Sequence, residues 1–188
     1  ILPSAAEVGA QIAAGEGQPL GMPLSFGGPY LGFMACEKSL MRRLPGRIVG
    51  QSTDQKGQRA YVLTLQAREQ HIRREKASSS ICSNQALCAL RAAIYCSLMG
   101  TEGLTQVASQ CVDHAHYLAD QLQRKTRLKL KYDAEFFHEF VTVSSTSSFL
   151  ILKHLEDHEI LGGLPLNDHE ILWCATEMNR REQIDHLV

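Results

Sequence analysis

An α/β fold is the reading this sequence supports, and three observations carry it. Period-2 alternation occurs in short runs such as Ala60-Tyr61-Val62-Leu63-Thr64-Leu65, the spacing that sends successive side chains to opposite faces of a strand. Apolar residues at helical spacing then dominate a long stretch from about 83 to 124. Beyond it, strand-like and helical runs alternate to the last residues, which predicts a small α/β domain beginning near residue 101.

The elements follow in order. Seven of the 14 glycines lie between Gly9 and Gly32, interleaved with Pro19, Pro23 and Pro29. Leu20, Met22, Leu24, Phe26 and Tyr30 run through the same stretch, so it reads as a long ordered loop with one short helix ahead of it. Residues 30–36 predict a buried strand and 37–43 a short helix that stops before Pro45-Gly46. A turn at Asp54-Gln55-Lys56-Gly57 makes 47–65 a hairpin. The Ala-rich helix over 83–99 is apolar on nearly every side, the pattern of a buried helix. Gly100 stops it, and Thr101 is suited to cap the next helix. That helix, 102–124, is amphipathic, with Leu104, Val107, Cys111, Ala115, Leu118 and Leu122 on one face. Strands at 128–132 and 138–144, a helix at 148–158, a short apolar segment, a strand at 171–175 and a helix at 179–187 complete the pattern.

Composition narrows the function. The formal net charge is -1, which gives nucleic acid or an anionic membrane no bulk attraction. No apolar run approaches the roughly 20 residues of a membrane helix. The opening Ile1-Leu2-Pro3-Ser4 does not resemble a signal peptide, and both ends read as cut from a longer chain. None of the six cysteines forms a Cys-x-x-Cys pair, and several sit in helical, Ala/Leu-rich stretches. A reducing compartment, the cytoplasm, is therefore expected.

Three constellations could carry chemistry. The glycine loop could let backbone approach a ligand closely, or be a structural crossover. It is neither a Walker loop nor a Gly-x-Gly-x-x-Gly fingerprint. The charged run Arg68 to Lys76 could be an anion site or interface, or a solvated segment with local pairs such as Glu69 and Arg73. It holds no aromatic residue for stacking on bases. His154 and His158 stand at i,i+4, and His114 and His116 face different ways, so surface histidines are expected and no metal site. Ser78-Ser79-Ser80 lead into a helix, whose unpaired N–H groups attract anions or are simply capped by hydroxyls.

The stretch from Gly15 to Ser83 resembles the P protein of the glycine cleavage system, glycine decarboxylase. The residues that carry this are Gly15-Glu16-Gly17-Gln18-Pro19-Leu20-Gly21, Phe26-Gly27-Gly28-Pro29, Pro45-Gly46-Arg47-Ile48-Val49-Gly50 and Gln66-Ala67-Arg68-Glu69-Gln70-His71-Ile72-Arg73-Arg74-Glu75-Lys76. Ile160-Leu161-Gly162-Gly163 and Cys174-Ala175-Thr176-Glu177 extend it to the later part of the chain. The resemblance implies fold type I of the pyridoxal-phosphate enzymes, with residues 1–100 ending the large domain and 101–188 forming most of the small one. It also implies a role in glycine dehydrogenase (decarboxylating), which decarboxylates glycine on pyridoxal phosphate and passes the aminomethyl group to the lipoyl arm of the H protein.

Two-subunit forms of the family carry a His-Lys-Thr just before the glycine-rich loop in one half only. Here the corresponding stretch is Ala14-Gly15-Glu16-Gly17-Gln18, and no lysine precedes Lys38. The chain thus fits subunit 1, in a heterooligomer whose lysine-bearing subunit 2 holds the cofactor covalently. No catalytic residue is expected here. Ser78, Ser79, Ser80 and Ser83 are expected to reach the cofactor phosphate across the interface, although Ser80 stands where the family commonly has asparagine. The alternatives are a non-catalytic structural subunit or another fold type I enzyme.

Overall fold

The computed structural model describes residues 2–45, 48–64, 70–77 and 85–188. Their contacts gather into two compact units, Leu2–Leu98 and Met99–Val188.

In the first unit, β1 (Ile12–Glu16) and β2 (Gly32–Cys36) pair antiparallel, from Ile12 opposite Cys36 to Glu16 opposite Gly32. The short helix expected at 37–43 is present as a 3-10 helix, Lys38–Arg43. The second hairpin is where the sequence puts it: β3 (Ile48–Thr53) against β4 (Arg59–Thr64). The Asp54 carboxylate closes its turn by accepting the N–H groups of Lys56 and Gln58, at 2.8 and 2.9 Å. Then come the short α1 (Gln70–Arg73) and a 3-10 turn, Arg74–Lys76. The long α2 (Ala86–Lys125) follows, broken at Gly100 with φ 61° and ψ -173°.

Three expectations about this unit are corrected. The stretch ahead of the glycine loop is turn and strand, residues 5–9 and β1, not a helix. β2 is exposed rather than buried, with Phe33 and Met34 about half open to solvent. The arm of α2 before Gly100 is half-open too: Cys88 and Ala92 are buried, whereas Leu87, Leu90, Ile94 and Leu98 are exposed. Apolar periodicity tells which side chains favour burial, not what covers them. Two separate two-stranded hairpins offer little surface with which to do so.

The second unit has a core of its own. β5 (Lys129–Leu130), β6 (Glu139–Val143), β7 (Leu164–Asn167) and β8 (Glu170–Cys174) form one antiparallel sheet in the order β5-β6-β8-β7. Phe140 and Thr142 of β6 and Ile171 and Trp173 of β8 point inward at period 2. The second arm of α2 supplies Ala115, Leu118 and Leu122 to the same core. Leu155 of α3 (Ser148–Asp157) and Ile184 of α4 (Arg181–Leu187) complete it. The Trp173 indole N–H donates to the Thr142 hydroxyl at 2.7 Å, which satisfies a buried donor inside the apolar layer. Ser148, also buried, donates through its hydroxyl to the Asn167 carbonyl, and its backbone N–H to that of Asp168, tying the start of α3 to the β7–β8 turn. Strand β7 replaces what reads in sequence as a short apolar segment. Pro165 inside it is tolerated because β7 is an edge strand with an irregular register there. Among the described residues no helix is long and apolar enough to cross a membrane.

Candidate functional site

The glycine-rich stretch connects β1 to β2, so it is the tip of a hairpin. One carboxylate fastens both of its ends: Glu16 Oε1 accepts the N–H of Gln18 at 2.8 Å and that of Leu31 at 2.5 Å. Gly17 N–H donates across the base to the Leu31 carbonyl at 2.7 Å. Gln18 is buried, and its side-chain amide donates to the Met22 carbonyl at 3.2 Å. The guanidinium of Arg91, on α2, donates to the Gly21 carbonyl at 2.9 Å. From Ser25 to Gly28 every φ is positive, an expensive conformation for Ser25 and Phe26. The Phe26 ring stands 94% exposed at the turn. The loop is therefore a hydrogen-bonded scaffold from which the Phe26 ring projects.

Ser78, Ser79, Ser80 and Ser83 lie outside the described residues, as do Arg68 and Glu69 of the charged run. Arg73, Glu75 and Lys76 are exposed, which agrees with a solvated segment. The histidines noted in the sequence serve packing and backbone contacts. His114 Nδ1 lies 2.9 Å from the Thr176 carbonyl. His116 stacks on Phe136 at 4.1 Å, with Nε2 2.9 Å from that residue's carbonyl. His158 Nδ1 lies 2.9 Å from the His154 carbonyl.

A grouping that the sequence does not announce sits at one end of the four-stranded sheet. Glu139 and Cys174 face each other across β6 and β8, and His138 precedes Glu139. An imidazole nitrogen, a carboxylate oxygen and the thiol lie within 4.8 Å of one another. Burial, and then the Glu139 carboxylate, push the Cys174 thiol pKa up. Nearby, burial and a hydrogen bond to Glu177 push up the Cys111 thiol. Glu139 and Cys174 also line a cavity of about 620 Å³, together with Glu159, Asn179, Gln183 and His186. Only the strand register could have revealed this group, because β6 and β8 are separated by α3 and β7 in the chain.

Comparison with known proteins places the whole chain. The family described as glycine cleavage system P-protein matches residues 1–188. A protein of Desulfitobacterium hafniense, "Probable glycine dehydrogenase (decarboxylating) subunit 1", is 50% identical over all of this chain and 44% of its own length. Its counterpart in Moorella thermoacetica is 52% identical over the same shares. The chain thus spans under half the length of the relatives it matches. A crystal structure of glycine decarboxylase (P-protein) in inhibitor-bound form is 38% identical, with a TM-score of 0.94, over all of this chain and 44% of that one. The cystine C-S lyase C-DES, 14% identical with a TM-score of 0.60, shares the fold alone. The fold is that of the fold type I pyridoxal-phosphate enzymes.

Proposed function

Because this chain belongs to the glycine cleavage system P-protein family, we propose that it is the later part of subunit 1 of glycine dehydrogenase (decarboxylating). In this reading the whole enzyme decarboxylates glycine on pyridoxal phosphate and hands the aminomethyl group to the lipoyl arm of the H protein. The cofactor supplies the electron sink for loss of carbon dioxide. It is bound covalently to a lysine of subunit 2, in a cytoplasmic heterooligomer. Leu2–Leu98 would belong to the large domain and Met99–Val188 to the small one, a division supported by the clustering of contacts.

The observation that carries the division of labour is Gln18. The polar side chain that the glycine loop buries is a neutral amide committed to the Met22 carbonyl. An amide cannot form the covalent linkage, so the described loop does not fit a covalently held pyridoxal phosphate. What this chain contributes is a hairpin of fixed shape, clamped by Glu16. The test is to load the heterocomplex with cofactor, reduce it with borohydride and map the adduct. The adduct belongs on subunit 2; a stoichiometric adduct on a lysine of this chain overturns the reading.

Ser78, Ser79, Ser80 and Ser83 are proposed to meet the phosphate of that cofactor from across the interface. Small hydroxyls can donate to phosphate oxygens without blocking the backbone, and α2 begins shortly after them. A lost hydrogen bond to a charged group costs about 1.5–3 kcal/mol. Changing Ser78, Ser79 and Ser80 to alanine in the complete heterocomplex should therefore weaken pyridoxal-phosphate affinity by roughly tenfold or more. Unchanged affinity and activity with intact assembly would make this subunit a scaffold for its partner.

A further inference from the structure

We propose that His138, Glu139 and Cys174 form a binding site for a divalent cation, with zinc the best match. Their donor atoms already lie within 4.8 Å of one another. Tetrahedral zinc, with bonds of about 2.0–2.3 Å to nitrogen, oxygen and sulfur, holds its donors roughly 3.3–3.8 Å apart. Closing the set requires about 1 Å of side-chain movement, which the surface positions of Glu139 and Cys174 allow. A thiolate, an imidazole and a carboxylate together suit a borderline-soft ion better than magnesium or calcium, which prefer oxygen alone.

Two further observations favour a cation at these residues. His138 Nδ1 is shielded from solvent and, among the described residues, is the buried side-chain polar atom with no hydrogen-bond partner. Such an atom costs free energy unless something occupies it. Glu139 makes no ion pair with any described lysine or arginine, so no cationic side chain competes for its carboxylate. The backbone around the three residues is fixed. Glu139 and Cys174 are paired in the ladder, and the Ala175 N–H donates to the His138 carbonyl at 3.2 Å. Both Glu139 and Cys174 border the 620 Å³ cavity, from which water can supply a fourth ligand.

The experiment uses the complete subunit assembled with its partner, stripped with chelator and dialysed against zinc chloride. The expected result is about one tightly held zinc per copy of this chain. Zinc-edge X-ray absorption should show one sulfur at about 2.3 Å beside lighter donors at about 2.0 Å. Cys174→Ser should remove the sulfur, and Glu139→Gln should weaken binding by at least the 10- to 100-fold seen when a supporting partner is lost. Circular dichroism checks each variant first. If Cys174→Ser does not fold, Glu139→Gln decides. No stoichiometric zinc, a sulfur signal that survives Cys174→Ser, or unchanged affinity in Glu139→Gln overturns the proposal.

Discussion

Gly21 and Gly57 both stand at positive φ, +84° and +76°, yet they differ in what surrounds them. A Cβ on Gly57 meets nothing within 4 Å, whereas one on Gly21 would lie 2.8 Å from the Cβ of Tyr95. Gly57→Ala should therefore cost only the left-handed backbone penalty, about 1–2 kcal/mol. Gly21→Ala adds overpacking against α2, about 1–3 kcal/mol more. Denaturant midpoints of the full-length subunit check this, and equal losses would mean that Tyr95 moves aside freely. A second residue-scale expectation concerns pH. Lys131 donates to Glu170 at 2.7 Å and holds its carboxyl below the ordinary value. The unfolded chain takes up that proton at higher pH than the folded one. The pair thus contributes at neutral pH, and its contribution is lost as pH falls through the carboxylate range. The urea midpoints of wild type and Glu170→Gln should differ near neutrality and converge in acid; a gap that persists in acid refutes the pairing. At this scale the sequence was only partly legible. The glycines marked the loop, but the Glu16 clamp, which binds the N–H groups of Gln18 and Leu31, depends on a hairpin no local pattern announces.

Among the elements, those with strong local punctuation were readable. Asp54 and Gly57 marked the β3–β4 turn. Gly100 marked the break in α2, where its φ and ψ lie in a region almost closed to other residues. The second arm of α2 was legible because its apolar stripe matches the face it buries. Strand β7 was not, since Pro165 and the irregular register around it disguise an edge strand. Nor could alternation of strands and helices reveal that the sheet is antiparallel, because strand direction is set by the connections rather than by the strands themselves. The bond from Trp173 to Thr142 also crosses between distant segments. Thr142→Val keeps the shape but leaves the indole N–H buried without an acceptor, at a cost of about 1–3 kcal/mol. The same midpoints should show it, with Trp173 fluorescence reporting any change in packing. A loss below half a kcal/mol would mean that the indole finds another partner.

At the scale of the whole chain, the core lies in Met99–Val188, while Leu2–Leu98 exposes Phe26, Leu87 and Leu98 at 94, 73 and 81%. Expressed as these 188 residues alone, the protein should self-associate through that apolar surface. Light scattering that finds a monodisperse monomer at high concentration would contradict this. The helix that carries Leu87 and Leu98 reads as buried because apolar character is local, whereas the surface that covers it is a property of the assembled fold. The order of strands in the second unit has a further consequence, in time rather than in space. β7 and β8 are joined by a two-residue turn, so they can pair early, whereas β6 must close a longer loop to reach β8. Val143 and Glu170 are the partners nearest in sequence, and Glu139 and Cys174 the most distant. The β6–β8 ladder should zip from the first pair to the second, which leaves the cation ligands among the last groups to assemble. A zinc ion held there would be absent from the folding transition state. It should leave the refolding arm of the chevron where it is and slow the unfolding arm, acting as a latch on the finished sheet rather than a seed for it.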